Sequence, residues 1–321
     1  MSQAAVEVVR LLSTPAVSDF APPSAHTVRR RSAAFASAVG QPDWPPRLAD
    51  PFPGFKGVPE IAGMDLTAGK LGGAILHHGC LLVRGLVDVR GVERLTDALV
   101  RAFQAAAAFR AGAPVAGEEP WFTPFSLASD GDLTASGRSF VIDGGGVWTA
   151  DSPLSLEALI DELRRAGVVE AVEGYLGERA YLSVGKSTLR RVPASTGTGW
   201  HQDGAFLGSD IRTVNCWLSL SDCGVDAPGL DLFPRRASGL YETGTKGSYF
   251  TWGVGDGFVA ELEQEAKVVS PVFAPGDALL FDQLFLHRTG VRPGMTRDRL
   301  AIESWLFAGS TFPMKQIPLA L

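Results

Sequence analysis

The C-terminal half of the chain consists of short apolar runs separated by glycine, proline and polar residues, a pattern that predicts β-strands. Residues 213–220 alternate between apolar and polar positions, broken only at Trp217, and predict a half-buried strand. The other predicted strands are residues 181–184, 229–234, 268–272, 278–281 and 300–306. Many short strands at regular spacing are typical of an antiparallel sandwich or barrel, so we expect a mainly β fold.

The N-terminal half predicts one strand and several supporting helices. Residues 79–86 form an apolar run between glycines and predict a strand. Apolar residues recur at helical spacing over residues 92–109, 156–163 and 168–176. Ser152 and Pro153 should begin the second of these helices, because serine caps helices well and proline is favoured at the first helical position. Gly177 should end the third helix.

Proline and small residues dominate residues 1–70, which predicts an N-terminal arm that wraps a core rather than builds one. Residues 71–321 show no internal repeat and no interdomain linker. We therefore expect one β domain over residues 71–321, with helical support from its N-terminal part.

The composition is that of a soluble globular protein, with 321 residues of which 45% are hydrophobic and 20% are charged. A formal net charge of −6 does not favour nucleic acid as a partner, and the apolar windows are too short to span a bilayer. Three cysteines are too few for a disulfide framework or a cysteine-rich zinc site, which favours the reducing cytoplasm. The sequence does not distinguish a monomer from a homodimer.

The candidate chemistry lies at His201 and Asp203. In an extended segment these two side chains point the same way, so an imidazole and a carboxylate would face one spot. His287 is the candidate for a second imidazole. Two imidazoles and one carboxylate are typical of non-heme Fe(II) oxygenases, which leave coordination positions open for a chelating co-substrate and dioxygen.

A dicarboxylate co-substrate such as 2-oxoglutarate also needs a fixed cation for its far carboxylate. Arginine suits this role through its bidentate guanidinium. Arg299 opens a predicted strand, and we expect that strand to lie beside the one that ends at His287. Arg297 is the second candidate for this cation.

The C-terminal half resembles the phytanoyl-CoA dioxygenase family of Fe(II)/2-oxoglutarate-dependent oxygenases. The resemblance covers residues 181–306, and its motifs are residues 201–203, 215–220, 274–281, 287–290 and 299–302, with a weaker match at 81–85. It implies a double-stranded β-helix core, the cupin-like jelly roll. It also implies that His201, Asp203 and His287 bind the iron and form the catalytic centre.

The same resemblance implies a site for 2-oxoglutarate. Arg299 would anchor the co-substrate, Thr289 would add a hydroxyl at the same carboxylate, and Trp217 would line the pocket. Asn215 and Gln202 are further cofactor-binding candidates carried over from the family motifs.

Several features bear on the substrate. Residues 233–238 stand where the family has a Gly-Ser-His turn that tends to border the substrate. Related iron halogenases have glycine or alanine at the position of Asp203, so an aspartate favours hydroxylation or a related oxidation. Lys186 and Glu303 are candidates either for ligand contact or for structural ion pairs. Residues 112–151 and 235–257 would shape the pocket, and their lack of pattern leaves the substrate unidentified.

We expect a dioxygenase that hydroxylates an unactivated C–H bond of a small molecule and releases succinate and CO2. Secondary metabolites, amino-acid derivatives and acyl-CoA molecules are the candidate substrates. Desaturation, cyclisation and epimerisation by the same iron centre are alternatives. The alternatives from other classes are a non-catalytic jelly-roll binding protein and a cupin-like zinc isomerase or hydrolase, which would not need Arg299.

Overall fold

A computed structural model describes residues 43–113, 121–124, 138, 141–142, 144–313 and 318–321. The described chain is mainly β with supporting helices, which confirms the predicted fold class. Its strands are β1 (Glu60–Ala62), β2 (Cys80–Arg84), β3 (Gly146–Trp148), β4 (Ala180–Val192), β5 (Thr213–Ser219), β6 (Gly229–Leu232), β7 (Ala278–Phe281), β8 (His287–Gly290), β9 (Arg299–Ala308) and β10 (Pro318–Ala320). Its α-helices are α1 (Ala68–His78), α2 (Val89–Arg110), α3 (Pro153–Arg165), α4 (Val168–Leu176), α5 (Gly204–Leu207) and α6 (Asp256–Leu262).

The strands form a large sheet and a small sheet. The large sheet has the order β1-β2-β7-β5-β9-β4-β10, with β3 added on β4, and the small sheet pairs β6 with β8. Isolated bridges extend the small sheet from β8 to His201 and from β6 to Val269. Residues 268–272, predicted as a strand, therefore contribute a single bridge at this edge. Side chains of both sheets share one hydrophobic cluster, which is the interior of the jelly roll.

Strand β5 shows how the sequence pattern produces two cores. Val214, Cys216 and Leu218 pack in the cluster shared with the helices, whereas Trp217 points into the cluster between the sheets. Every residue of β5 is buried. The prediction of a half-buried strand is therefore wrong, because helices cover one face of the large sheet and the small sheet covers the other.

The predicted helices are confirmed, but the cap of α3 differs. Pro153 is its first residue, as predicted, while the Ser152 hydroxyl accepts no backbone hydrogen bond. That hydroxyl donates to the carbonyl of Trp121 instead, and Ser155 Oγ lies 2.8 Å from it. At the end of α4, Gly177 adopts the left-handed conformation with φ of 73°, where glycine carries no steric penalty.

The described part of the N-terminal arm is joined to the core. Strand β1 pairs in parallel with β2 and forms one edge of the large sheet. The Trp44 ring packs against Tyr175 of α4, with ring centroids 5.2 Å apart. The boundary predicted at residue 70 falls inside α1, and residues 1–42 of the predicted arm lie outside the described residues. None of the helices in the described part of the chain is both long and apolar enough to cross a membrane.

A buried carboxylate holds the small sheet together. Asp231 of β6 is paired in register with Arg288 of β8, whose Nε donates to it at 3.0 Å. Arg292 and Ser270 donate to the same carboxylate. Burial alone would raise the pKa of Asp231, but these hydrogen bonds outweigh burial and lower it below 3.8. This network fixes the strand that begins at His287.

Replacement of Asp231 by asparagine should lower the free energy of unfolding by about 2 kcal/mol at pH 7, since the partly exposed arginines lose their shared carboxylate. Because the folded pKa lies below the unfolded value, the carboxylate stabilises the fold above about pH 4 and progressively less as the pH falls further. Urea unfolding of both proteins at pH 7 and below pH 4 checks this. A stability difference that stays constant over this range would contradict the expectation.

Candidate metal centre

His201 and His287 face each other across an antiparallel bridge at the edge of the small sheet. The backbone N–H of His201 donates to the carbonyl of His287 at 3.0 Å, and the reverse bond is 3.1 Å. This double pairing brings the two imidazole centroids to 4.4 Å from each other. The sequence prediction that these distant histidines meet is confirmed.

Asp203 reaches the same point by a different route from the one predicted. Its backbone is in the right-handed helical conformation, with φ of −63° and ψ of −22°, and it precedes the short helix α5. The prediction of a fully extended segment is wrong at this residue. The bridge to β8 sets the position of His201, and the turn into α5 brings the Asp203 carboxylate back beside the two imidazoles. Asp203 Oδ2 lies 3.9 Å from His287 Nε2.

One potential ligand atom from each of His201, Asp203 and His287 lies within 4.8 Å of the others, the one such metal-competent group among the described residues. The His201 Nδ1 lies 2.9 Å from the carbonyl of Gly199, and the His287 Nδ1 lies 3.1 Å from that of Phe285. A carbonyl can only accept, so each Nδ1 carries the proton and each Nε2 presents its lone pair to the centre.

The electrostatics of the centre also suit metal binding. Burial and the neighbouring His201 lower the pKa of His287 to about 4, so its imidazole is neutral at pH 7. Neutral imidazoles and a carboxylate are the donor set that Fe(II) accepts in facial-triad sites. The hydrogen bonds at Nδ1 also fix the orientation of both rings before a metal arrives. The residues present therefore fit a ferrous ion.

Arg299 approaches the site from the opposite sheet. Strand β9 pairs with β4 and β5 and not with β8, so the predicted neighbourhood of β8 and β9 is wrong. The long side chain instead crosses the interior of the roll, where Nη1 donates to the carbonyl of Gly229 at 2.9 Å. Arg297, the second candidate, is exposed on the loop before β9.

The guanidinium of Arg299 retains hydrogen-bonding capacity inside the roll. Its Nε is buried and has no hydrogen-bond partner. Burial lowers the pKa of Arg299 to about 10, so the group stays charged at pH 7. A buried, charged donor without a partner is costly unless a ligand pairs with it. The carboxylate of a co-substrate fits this requirement.

Three further predicted residues lie on strands β5 and β8, which belong to the two sheets on either side of the interior. The Trp217 ring lies under the Arg299 guanidinium at 5.3 Å, and the Trp217 Nε1 is buried without a partner, as is the Asn215 Oδ1. Thr289 is two positions after His287 on β8, so both side chains are on the inner face. The structure thus brings these three residues into the interior where a co-substrate would bind.

The Gln202 side chain is hydrogen-bonded to the backbone of the protein. Its Nε2 donates to the carbonyls of Leu284 and Gly239, at 2.6 and 3.1 Å. Its Oε1 accepts from the backbone N–H of Tyr241 at 2.7 Å. Both amide donors are therefore committed to backbone groups, and cofactor binding by Gln202 stays a prediction. The side chain joins the His201 segment to two loops.

Lys186 and Glu303 both face the interior near the centre. Lys186 Nζ lies 3.8 Å from Asp203 Oδ1. Glu303 Oε1 lies 3.8 Å from Arg190 Nε, and Thr188 donates to Glu303 Oε2 at 3.3 Å. Burial raises the pKa of Glu303, but the positive charges of Arg190, Lys186 and Arg299 outweigh burial and lower it. Glu303 is ionised and paired with Arg190, which matches the structural ion pair that was one of the two predicted alternatives.

Sequence reasoning missed an aromatic wall beside the centre, formed by Phe206, Phe250 and Trp252. The Trp252 and His201 rings are perpendicular, with centroids 5.6 Å apart. Trp252 also contacts Phe206 at 5.1 Å and stacks on Phe250 at 4.4 Å. The density of aromatic residues at 249–252 was the available signal, in a segment without periodicity.

The segment that departs from the family motif, residues 233–238, is tied to the protein by ion pairs. Arg236 contacts the buried Asp282 at 3.1 Å, and Arg235 pairs with Glu265. Its two arginines are thus already paired. Much of the other predicted pocket segment, residues 112–151, lies outside the described residues.

Known proteins similar to this chain include one family and several solved structures. The family described as Phytanoyl-CoA dioxygenase (PhyH) matches residues 75–292. The carbocyclase SnoK from nogalamycin biosynthesis is 14% identical, with a TM-score of 0.50 over 78% of this chain and 87% of that chain. EctD from S. alaskensis is 18% identical, with a TM-score of 0.47 over 74% and 75%. AviO1 from Streptomyces viridochromogenes Tue57 is 15% identical, with a TM-score of 0.47 over 77% and 98%. No curated protein sequence is significantly similar to the chain.

Proposed function

The chain belongs to the phytanoyl-CoA dioxygenase family of Fe(II)- and 2-oxoglutarate-dependent oxygenases, and we propose that it hydroxylates an unactivated C–H bond of a small molecule. The observation that carries this proposal is the convergence of His201, Asp203 and His287, with both histidine Nε2 atoms free to bind a metal. When bound, iron and 2-oxoglutarate supply oxidation by O2, with succinate and CO2 as by-products.

In this proposal the protein's own residues bind, orient and shield the reactants. His201, Asp203 and His287 hold the iron. Arg299 binds the far carboxylate of 2-oxoglutarate through its Nε, which has no hydrogen-bond partner in the protein. Trp217, Thr289 and Asn215 complete the co-substrate pocket. The apolar surroundings of the roll exclude bulk water and strengthen the interaction of Arg299 with a carboxylate.

The charged residues also distinguish this proposal from a zinc enzyme of the same fold. A zinc isomerase or hydrolase has no use for a buried guanidinium opposite the metal centre. The partnerless Nε of Arg299 supports a site for an anionic co-substrate. The carboxylate of Asp203 fills the position that a halide would need, which supports hydroxylation. Desaturation, cyclisation and epimerisation would use the same residues and depend on the substrate.

We further propose that residues 71–321 form the catalytic domain and that the enzyme acts in the cytoplasm. The three cysteines are free and buried, which supports a reducing compartment. The proposed partner is a small-molecule substrate, and a monomer and a homodimer are equally compatible with this site.

Anaerobic addition of Fe(II) and 2-oxoglutarate should produce a weak visible charge-transfer band, because the keto acid chelates the metal. In air, a screen for succinate release against a diverse compound panel should then identify substrates, and product analysis separates hydroxylation from desaturation. The His201→Ala variant is the inactive control. Absence of the band in the wild-type protein would favour a non-catalytic jelly-roll binding protein.

A further inference from the structure

Strand β4 carries an irregularity directly beside the candidate metal centre. Its pairing with β9 shifts register between Leu182 and Ser187, so four residues of β4 stand opposite Trp305 alone. Such bulges re-aim a side chain and are common next to active sites. Lys186 lies within this bulge, and its ammonium points to the metal centre, 3.8 Å from Asp203 Oδ1.

Lys186 also contacts the aromatic wall. Its Nζ lies over the Phe206 ring, 4.3 Å from the centroid. Phe206 is 43% exposed, so part of it is accessible to solvent. The Lys186 side chain keeps 22% of its surface exposed, although it faces the inside of the roll. These features place one cation and a partly exposed aromatic ring side by side next to the metal centre.

Among the described residues beside the metal centre, three cations, Lys186, Arg190 and Arg299, lie near two carboxylates, Asp203 and Glu303. Arg190 pairs with Glu303, and the proposed function assigns Arg299 to 2-oxoglutarate. Once Asp203 binds a metal, Lys186 has no carboxylate of its own. The three cations and two carboxylates carry a net charge of +1. The two positive charges of Fe(II) balance the two negative charges of 2-oxoglutarate, so this net charge remains, and Lys186 is the cation left without a partner.

We propose that the substrate is an organic carboxylate with an apolar body, that Lys186 binds its carboxylate, and that Phe206 and Trp252 bind its body. This inference rests on the proposed function, because the metal must neutralise Asp203. A monoanion matches the single surplus charge, and the aromatic rings supply dispersion contacts to the apolar body. Lys186 and the wall thereby hold the substrate beside the metal centre.

The test compares matched acids and amides that share one apolar body. The probes are 3-phenylpropionate with 3-phenylpropionamide, and 2-naphthoate with 2-naphthamide. Each is titrated by calorimetry into the anaerobic protein loaded with Fe(II) and 2-oxoglutarate. We expect the better-binding acid to bind the wild type about 10-fold more tightly than its amide, as one partly desolvated ion pair would require. Lys186→Met should abolish this preference, and Lys186→Arg should retain it.

Lys246 offers a matched control, because its Nζ also lies over a phenyl ring, that of Phe258 at 5.1 Å, and also pairs with a carboxylate, Glu261. Lys246→Met should leave the acid preference unchanged. Trp252→Leu should weaken the binding of the acid and of the amide by the same factor. All variants should keep the charge-transfer band of Fe(II) and 2-oxoglutarate.

Three outcomes would overturn the proposal. The first is equal or undetectable binding of acid and amide by the wild type, and the second is a preference that survives in Lys186→Met. The third is loss of the charge-transfer band in Lys186→Met, which would make Lys186 a positioning residue for Asp203. Failure of the proposed function gives a different result, because the charge-transfer band would then be missing from the wild-type protein.

Discussion

Replacement of His287 by alanine should abolish stoichiometric Fe(II) binding and lower succinate formation by more than about 100-fold. Loss of a group that merely orients a metal ligand costs about 10- to 100-fold, and this change removes the ligand itself. His287 is buried, its Nδ1 is fixed by the carbonyl of Phe285, and its Nε2 faces Asp203. Alanine leaves an imidazole and a carboxylate, which cannot occupy one face of an octahedral metal.

Anaerobic titration of Fe(II) with 2-oxoglutarate, followed by the visible band, measures this loss directly. Asp203→Ala should also lower succinate formation, since it removes the only carboxylate of the triad. His77→Ala is the matched control, because His77 is an exposed histidine of α1 that bonds the carbonyl of Leu48. Circular dichroism should show that all three variants are folded. A folded His287→Ala protein that binds one Fe(II) and releases succinate at the wild-type rate would exclude the proposed triad.

The fold was predictable where its signals are local. Alternation located β5, short apolar runs located β7 and β9, and helical spacing located α2, α3 and α4, because each pattern reflects the burial of one element. The half-buried character assigned to β5 failed for a non-local reason. A single sequence does not reveal that helices cover one face of the strand while another sheet covers the second face.

The site was predictable in its chemistry and only partly in its geometry. The residue types at His201, Asp203 and His287 indicate a metal centre without any coordinates. Their convergence depends on a backbone bridge and on the turn into α5, neither of which has a clear sequence pattern. Strand order likewise placed Arg299 in the sheet opposite His287. Long-range pairing decided these positions, and local periodicity carries no information about it.

The aromatic wall and Gln202 show the same limit in side chains. Phe206 and Trp252 lie in unpatterned segments, and their proximity to His201 arises from tertiary packing. Gln202 occurs inside a family motif, yet its side-chain amide forms hydrogen bonds with the backbone of two loops. A motif therefore identifies a position in the fold, and only the hydrogen bonds reveal whether the side chain binds ligand or protein.

Replacement of Arg299 by lysine should raise the KM for 2-oxoglutarate about 100-fold, with a much smaller change in Fe(II) affinity. Lysine keeps the charge but loses the planar fork and the Nε donor that the interior leaves without a partner. Hydrogen bonds to a charged group contribute about 1.5 to 3 kcal/mol, and about 2.7 kcal/mol corresponds to 100-fold in binding. Arg297→Lys, an exposed change two positions earlier, should leave the KM unchanged.

A second co-substrate separates this role from a merely structural one. The keto acid 2-oxobutyrate carries the chelating end of 2-oxoglutarate but lacks the far carboxylate. The wild-type enzyme should prefer 2-oxoglutarate by about 100-fold, because only that molecule satisfies the buried guanidinium. Arg299→Lys should lose most of this preference, since lysine weakens the contact that distinguishes the two acids. If the variant retains the wild-type preference while its KM values for both acids rise together, Arg299 supports the fold and another cation binds the co-substrate.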